Sequence, residues 1–340
     1  MPTLGRVALM ALISFTTGAS RNTPWRERLP PRRYVPIAIR IDSIRDGQRD
    51  DSLARPLLLA AYNDRIFYFD YGDSRLNAID MRGRLLWRAG RRGRGPNEWA
   101  NPTSIVATRE GGVVVVDGSS SRFTRVDADG AFVHSVTTPS IPMRIARGSG
   151  TSFIAFGALN GRPNAQLLDS AFSTIQTLEW SGWPDSAMGL AAQVRVASGF
   201  SGNVAAVSIA TGRIFPLRPG MSFDSGVDGI GGRPLPPRVP LPGDNGLVVA
   251  GIPAGTKPAI RDAAIVGELL FVVPAGEDFD GRTLDIYDVK SGKYRASIRV
   301  PVPLHVVSGT SADLVAVSLA EFPAIIRLRW DRTKLERVIH

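Results

Sequence analysis

Residues 103–136 read TSIVATREGGVVVVDGSSSRFTRVDADGAFVHSV and contain four short runs rich in β-branched and aromatic residues. Gly111-Gly112, the segment 118–121 and Asp129-Gly130 separate these runs. Glycine, serine and Asp-Gly pairs at such positions are typical of hairpin turns. The stretch therefore predicts four antiparallel strands that follow one another in a single sheet.

The same plan recurs along the chain. Segment 57–88 again contains four short runs, and the turn before the last run of each unit supplies a landmark. Most landmarks are about 42 residues apart, an interval that suits a four-stranded propeller blade. We therefore predict an all-β fold, a six-bladed β-propeller of four-stranded antiparallel blades. The landmarks are Asp80, Asp127, Asp169, Ala210, Asp288 and Asp331.

One interval is longer, because 78 residues separate Ala210 from Asp288. It contains segment 218–257, in which 16 of 40 residues are Pro or Gly, and prolines cannot serve as donors in central strands. We interpret 218–257 as an insertion before the fifth blade. The alternative is a seventh, degenerate blade that includes Leu247–Ile252. A further strand, Tyr34–Ile41, precedes the first blade and is expected to close the ring beside the last one.

The N-terminus has the features of an export signal. Arg6 precedes an apolar run from Val7 to Phe15, and small residues lead to Ala19. We predict a signal peptide over 1–19, a flexible leader over 20–33 and a single propeller domain over 34–340, located in the periplasm or secreted. The run is too short to span a bilayer stably, so no stable membrane insertion is expected. The sequence contains no Cys, which excludes a lipoprotein anchor, disulfides and a thiol nucleophile.

Residues 84–136 carry a family signature. The stretch Gly90–Trp99 reads GRRGRGPNEW, and Asn101-Pro102 then precedes the first strand of a unit. This pattern resembles the inter-blade signature of NHL-like and bacterial six-bladed β-propeller (TolB-like) proteins. The resemblance implies six blades around a central channel and implies no activity, because the fold hosts lyases, lactonases and pure scaffolds. In the residues themselves, Glu98 is interpreted as structural, and Trp99 is expected to pack between blades.

The sequence shows no catalytic motif. Asp127-Ala128-Asp129-Gly130 resembles the start of a calcium loop but lacks the Glu that such a loop requires at its end, so it is interpreted as a turn. Of three His residues, only His305 is expected on an inner strand; His134 is on an outer strand and His340 is terminal. We therefore expect no catalytic residues, no metal site and no cofactor. A carboxylate-only calcium site in the channel is the alternative.

Positive charge is the main clue to a ligand. The net charge is +10, and 37 of the 41 basic residues are Arg, which fits either a basic surface or a GC-rich genome. Several arginines are expected on one face with carboxylates from the loops of neighbouring strands, where guanidinium groups can bind an anion in bidentate fashion. The alternative is an Arg–Asp surface network. The candidate ligand-binding residues are Arg88, Arg91, Arg92, Arg94, Asp70, Asp73 and Asp117.

Two classes of function follow. The first is a non-catalytic exported binding module, a monomer that binds a protein, peptide or glycan on its loop-rich face. The second is a propeller lyase or hydrolase that depends on a channel metal. RNA binding through the arginines is a third hypothesis, but few aromatic residues accompany them and export argues against it, so no nucleic acid partner is expected.

Overall fold

The chain forms a ring of radially arranged antiparallel sheets. This computed structural model describes residues 31–49, 53–138, 141–159, 162–180, 194–218, 222–223, 226–233, 239–242, 248–251, 257–275 and 280–339. Six sheets of four or five strands follow one another, and each is a β-meander apart from additions at the edges of the fourth and sixth. The predicted six-bladed β-propeller is confirmed.

The N-terminal strand and the first two blades come first. Their elements are β1 (Arg40–Asp46), then β2 (Pro56–Tyr62), β3 (Arg65–Asp70), β4 (Arg75–Asp80) and β5 (Leu85–Ala89) of blade 1, and β6 (Pro102–Ala107), β7 (Val113–Asp117), β8 (Arg122–Val126) and β9 (Phe132–Thr137) of blade 2. The strands of blade 1 match the four runs predicted in 57–88 to within about one residue at each end.

Blades 3 and 4 follow, and the fourth departs from the four-stranded plan. Their elements are β10 (Ile141–Arg147), β11 (Phe153–Leu159), β12 (Arg162–Leu168), β13 (Thr174–Thr177), β14 (Glu179–Trp180), β15 (Val194–Ser198), β16 (Val204–Ser208), β17 (Ile214–Arg218) and β18 (Ser222–Phe223). Blade 3 is β10 to β13. In blade 4, the two short strands β18 and β14 lie outside β17, and β14 runs parallel to β18.

The last part of the chain supplies a hairpin and two blades. Its elements are β19 (Val239–Pro242), β20 (Val248–Gly251), β21 (Ile260–Val266), β22 (Leu269–Pro274), β23 (Thr283–Asp288), β24 (Tyr294–Arg299), β25 (Val306–Gly309), β26 (Leu314–Leu319), β27 (Pro323–Arg329) and α1 (Arg332–Ile339). Blade 5 is β21 to β24. The pair β19–β20 forms its own two-stranded sheet within the 218–257 segment and does not make a seventh blade.

The ring is closed by the N-terminal strand. β1 pairs antiparallel with β27, from Arg40 opposite Arg329 to Asp46 opposite Ala324, and becomes the outermost strand of blade 6. Closure by a strand that precedes blade 1 is confirmed, although the strand begins at Arg40 and not at Tyr34. The C-terminal segment cannot take this place because Asp331 accepts a hydrogen bond from the N–H of Lys334 and starts α1.

Alternation along the strands explains the core. A strand exposes successive side chains to opposite faces of its sheet, and both faces of a blade are covered by neighbouring blades. In β7, Val113 and Val115 therefore pack toward blade 1, whereas Val114 and Val116 pack toward blade 3. Six hydrophobic clusters result, one between each pair of neighbouring blades.

The aspartate landmarks hold the outer turns. The carboxylates of Asp80, Asp127 and Asp169 each accept hydrogen bonds from the N–H groups two and four residues further along the chain. The interpretation of Asp127–Gly130 as a turn is confirmed. This repeated geometry is the reason that an aspartate recurs at a nearly constant interval.

The described residues include only the end of the predicted N-terminal segments. The predicted signal peptide 1–19 lies outside the residues described. At the end of the predicted leader, Arg32 Nε donates to Asp285 Oδ1 at 2.9 Å and Arg33 donates to the carbonyl of Arg295, so these two residues belong to the folded domain. No helix in the described part of the chain is long and apolar enough to cross a membrane.

Candidate functional site

The predicted arginines lie on the surface. Arg88, Arg91, Arg92 and Arg94 are all exposed, at the end of β5 and in the crossover that leads to β6. Arg91 forms an ion pair with Glu98, with Nε and Oε1 2.8 Å apart. Asp73 is also exposed, in the β3–β4 loop on the same face. Burial and the neighbouring Asp70 raise the pKa of Asp73, while Arg75 and Arg88 lower it.

Asp70 and Asp117 have a different role. Both side chains are buried at the end of the second strand of their blades. Asp70 accepts hydrogen bonds from the N–H groups of Ala54 and Arg55, and Asp117 accepts them from Ala100 and Asn101. Each carboxylate thus fixes the chain that enters the first strand of its own blade. Neither is brought together with the exposed arginines.

The glycine-rich crossover is built around Glu98 and Trp99. The Glu98 carboxylate accepts hydrogen bonds from the N–H of Gly95 and from Arg91, which lowers its pKa. A side chain at Gly93 would overlap this carboxylate, since its Cβ would lie 2.0 Å from Oε2. Trp99 is buried between blades 1 and 2, edge-on to Phe69, as predicted. Both signature residues therefore serve the fold.

A second charged region lies on the ring axis. The six inner strands, β2, β6, β10, β15, β21 and β25, line an axial pocket of about 90 Å³. These strands contain a single acidic residue, Asp262, and four arginines: Arg144, Arg147, Arg195 and Arg261. Sequence reasoning missed them because they lie far apart in the chain. The sequence feature that could have revealed them is an arginine in each of three successive inner strands, β10, β15 and β21, which are otherwise mostly apolar.

One arginine in the pocket has a carboxylate partner. Arg195 Nε lies 3.6 Å from Asp262 Oδ1 and donates to the carbonyl of Arg261 at 2.8 Å. Asp262 Oδ2 accepts a hydrogen bond from the N–H of Val307 in blade 6. Burial raises the pKa of Asp262, although Arg195 and this hydrogen bond oppose the rise. Arg195 and Asp262 therefore link blades 4, 5 and 6 around the pocket.

Arg144 has no carboxylate partner among the described residues. Its Nη1 donates to the carbonyls of Thr103 and Met143, at 2.8 and 2.6 Å. Its Nε is buried without a hydrogen-bond partner. Burial and the neighbouring charge of Arg195 lower the pKa of Arg144 to about 10, so the group is still charged at pH 7. The pocket therefore holds a positive charge that the described carboxylates do not neutralise.

Arg147 and two aromatic rings fill one end of the channel. Arg147 is 4% exposed, donates to the carbonyls of Ala107 and Gly199, and lies over the ring of Tyr62 at 4.5 Å. Tyr62 ends the inner strand of blade 1, and Phe200 follows the inner strand of blade 4. Their rings stack with centroids 4.9 Å apart. Since blades 1 and 4 are opposite, this stack crosses the axis.

The other end of the pocket is the mouth. In the first half of the inner strands, up to the central residue Arg144 of β10, the side chains of Leu57, Arg144, Arg195 and Asp262 are partly exposed, whereas side chains at the strand ends are mostly buried. Inner strands begin on the face that carries the inter-blade crossovers and the β3–β4 loop, because each blade is a meander. The pocket therefore faces the same side of the ring as Arg88 and Arg91.

The histidines do not form a ligand set. No group of three or more His, Asp or Glu side chains that could hold a metal ion occurs within the described ranges. His305 directly precedes β25 beside the pocket. Burial and the positive charges of Arg261 and Arg195 lower its pKa, so its imidazole is neutral at pH 7. His134 lies on the outer strand β9 and stacks on Phe172. His340 lies outside the residues described.

Comparisons with known proteins agree on the fold. No protein-family model matches the chain, and no curated protein matches it. Among solved structures, it is similar to a candidate exported protein from Bacteroides fragilis, with 12% identity, a TM-score of 0.56, and coverage of 86% of this chain and 96% of that one. It is also similar to virginiamycin B lyase from Staphylococcus aureus (9% identity, TM-score 0.50, 86% and 99% coverage) and to a streptogramin B lyase (10%, 0.52, 86% and 98%). At these identities the likeness shows the fold alone.

Proposed function

We propose that this chain is a non-catalytic binding module that acts outside the cytoplasm, in the periplasm or after secretion. One observation carries the proposal: the axial pocket is blocked at one end by Tyr62, Phe200 and Arg147 and faces the crossover side at the other. A rigid ring with a blind, basic pocket surrounded by loops is suited to recognition. The ligand is a protein, peptide or glycan that docks on this crossover face.

The family assignment and the export route belong to the same proposal. The Gly90–Trp99 signature supports membership of the NHL-like, TolB-like propellers. Residues 1–19 support export, and one structural neighbour is described as a candidate exported protein. To test export, the full chain is expressed in a Gram-negative host and the mature protein is analysed by mass spectrometry. A periplasmic product that begins at Ser20 is expected, and an unprocessed cytoplasmic product contradicts export.

The binding face is tested with two matched variants. Arg91→Gln/Arg92→Gln/Arg94→Gln neutralises the crossover face, whereas Arg82→Gln/Arg109→Gln neutralises exposed arginines in the turns on the opposite face. Both variants and the wild type are applied to arrays of glycans and of peptides. We expect ligands that lose at least tenfold affinity with the first variant and keep it with the second. Equal losses with both variants, or no ligand for the wild type, contradict the proposal.

The alternative is a lyase or hydrolase that holds a metal in the channel. Asp262 lines the pocket, and His305 directly precedes Val306, which also lines it. The purified protein is incubated with Ca²⁺, Mg²⁺ or Zn²⁺, dialysed and analysed for metal content. If the protein is a binding module, it should retain less than about 0.1 equivalent of metal per chain, a tenth of one bound ion. Every ligand found on the arrays should also be recovered chemically unchanged after incubation with the protein. One retained equivalent that Asp262→Asn abolishes favours the enzyme.

A further inference from the structure

We propose that the axial pocket binds a single oxyanion group, a carboxylate or a phosphate, through Arg144 with the help of Arg195. The inference deepens the proposed function, since it names the chemistry of the ligand group that would enter the pocket. It rests on the geometry of the three arginines that line the pocket, Arg144, Arg147 and Arg195, together with one carboxylate, Asp262.

The first argument is the charge of the pocket. Asp262 is the one acidic side chain on the six inner strands, and it already forms an ion pair with Arg195. Arg144 and Arg195 both lie three residues before the end of their inner strands, so they occupy the same level of the channel. Two guanidinium groups at one level repel each other unless an anion lies between them. This repulsion contributes to the lowered pKa of Arg144.

The second argument is the free edge of Arg144. Carbonyl oxygens occupy Nη1, but neither Nε nor Nη2 donates a hydrogen bond to any described residue. Nε and Nη2 form the edge of the guanidinium group that binds two oxygens of a carboxylate or phosphate side by side. A buried donor without a partner costs about 1 to 3 kcal/mol, and a bound oxyanion would remove this cost.

The third argument is the size and floor of the pocket. Its volume of about 90 Å³ is well below the several hundred Å³ of pockets for drug-sized ligands. It therefore accepts one charged group, with the remainder of the ligand outside on the crossover face. Arg147 lies one level deeper, about 10 Å further along the strand, where carbonyls and Tyr62 hold it. Arg147 forms the floor and adds positive potential.

The experiment measures anion binding to the whole protein by isothermal titration calorimetry at constant ionic strength in chloride buffer. The probes are inorganic phosphate, sulfate, acetate and succinate. We expect one site per chain for at least one probe and a loss of at least tenfold affinity in Arg144→Gln. Arg144→Lys keeps the charge but not the planar fork and should also weaken binding. The exposed Arg82→Gln, in the β4–β5 turn on the opposite face, is the matched control and should bind within twofold of the wild type.

A second measurement avoids dependence on a folded variant. Phenylglyoxal modifies arginines of the wild-type protein, and peptide mass spectrometry follows each position. A binding anion should slow modification of Arg144 and leave modification of Arg82, on the opposite face, unchanged. Protection by phosphate and sulfate alone identifies a tetrahedral oxyanion, and protection by acetate and succinate alone identifies a carboxylate; either result supports the site.

Other outcomes overturn the inference. These are no binding up to 50 mM probe (roughly the weakest range that such contacts would give), or binding that Arg144→Gln leaves intact. The experiments distinguish failure of the oxyanion site from failure of the proposed function. Array ligands that bind without an axial oxyanion site overturn the inference alone, whereas an oxyanion site without any larger ligand overturns only the assignment as a protein, peptide or glycan binder.

Discussion

Tyr62 and Phe200 come from opposite blades, and their rings stack across the ring axis with an interplanar angle of 10°. Tyr62 is buried and also lies beneath the guanidinium group of Arg147. A contact between blades 1 and 4 bridges the ring directly, in addition to the contacts that run around it. This relationship turns the central channel into a pocket with one mouth.

The axial stack should be energetically coupled. Stacked aromatic pairs contribute about 0.5 to 1.5 kcal/mol beyond their buried area, so a double-mutant cycle of Tyr62→Leu and Phe200→Ala should give a coupling of that size. Urea unfolding of the four proteins measures it. Phe322 has a similar exposure in the β26–β27 turn of blade 6 and serves as the control. Tyr62→Leu combined with Phe322→Ala should be additive, and equal coupling in both cycles contradicts the axial contact.

The crossover should not tolerate a side chain at Gly90. This residue has φ +76°, and a Cβ would lie 2.0 Å from Nε1 of Trp99. Gly267 has φ +62° and open space around it, so Gly267→Ala isolates the cost of the left-handed backbone, about 1 to 2 kcal/mol. Gly90→Ala should cost about 2 kcal/mol more, because the buried indole must move. Chemical denaturation measures the unfolding free energy of the two variants. Equal losses in both would show that the Trp99 side chain can move aside without a cost in stability.

Two aspartates should respond to pH in opposite directions. Burial raises the pKa of Asp262, so its contribution to stability is fully present below the ordinary aspartate pKa of about 3.9 and is lost as pH rises through the raised value. Burial also acts to raise the pKa of Asp288, but hydrogen bonds from Ser291 and Arg295 outweigh it and lower that pKa. The contribution of Asp288 is therefore present above about 3.9 and is lost as pH falls through the lowered value.

Asn substitution measures both effects. The difference in unfolding free energy between wild type and Asp262→Asn should grow from pH 7 to pH 3.5, whereas the difference for Asp288→Asn should shrink. The Asp288 effect should stay near or below about 1 kcal/mol because water screens this partly exposed ion pair. Urea titrations in chloride buffers at several pH values provide the data. Parallel trends in the two variants would contradict the assignment of burial as the cause at Asp262.

Ring closure by β1 should be essential for stability. A chain that starts at Arg32 keeps β1 and the Arg32–Asp285 ion pair, and it should unfold like the mature protein. A chain that starts at Gly47 loses β1 and leaves β27 as an unpaired edge, which promotes aggregation. We expect the shorter chain to unfold at least 10 °C lower, or to aggregate, in a thermal scan monitored by circular dichroism (about 5 kcal/mol or more for a domain of this size). Similar melting of the two chains would show that closure contributes little.

Blades 1 and 2 could be predicted strand by strand, because short turns rich in Gly, Asp, Asn and Ser separate their strands and because the valine run 113–116 is apolar on both faces of its strand. Blade 4 was harder because its outer edge is assembled from two dipeptide strands, Glu179–Trp180 and Ser222–Phe223, that lie far apart in the chain. The strand that closes blade 6 was expected before blade 1, but its start at Arg40 was not predicted. The landmark at Asp331 precedes an α-helix and not a fourth strand, because Asp331 caps that helix.

The functional residues show the same limit. Exposed arginines that are adjacent in sequence, such as Arg91 and Arg92, were easy to find. Asp70 and Asp117 were expected beside them, but their carboxylates accept hydrogen bonds from backbone N–H groups of the chain that enters each blade. Arg144 and Arg195 are 51 positions apart in the numbering, and only closure of the ring brings them to one level. A cluster of charged side chains that only the fold brings together cannot be recognised from short stretches of sequence.

The pairing of β1 with β27 also sets the order in which the molecule can be completed. A chain that is synthesised from its N-terminus supplies β1 long before β27, so the first strand of the ring waits for the last one. Until then four of the six blade interfaces can form, whereas the interfaces of blade 6 with blades 5 and 1 lack their β27 residues. The closed ring therefore cannot form before the last strand of the polypeptide has been made.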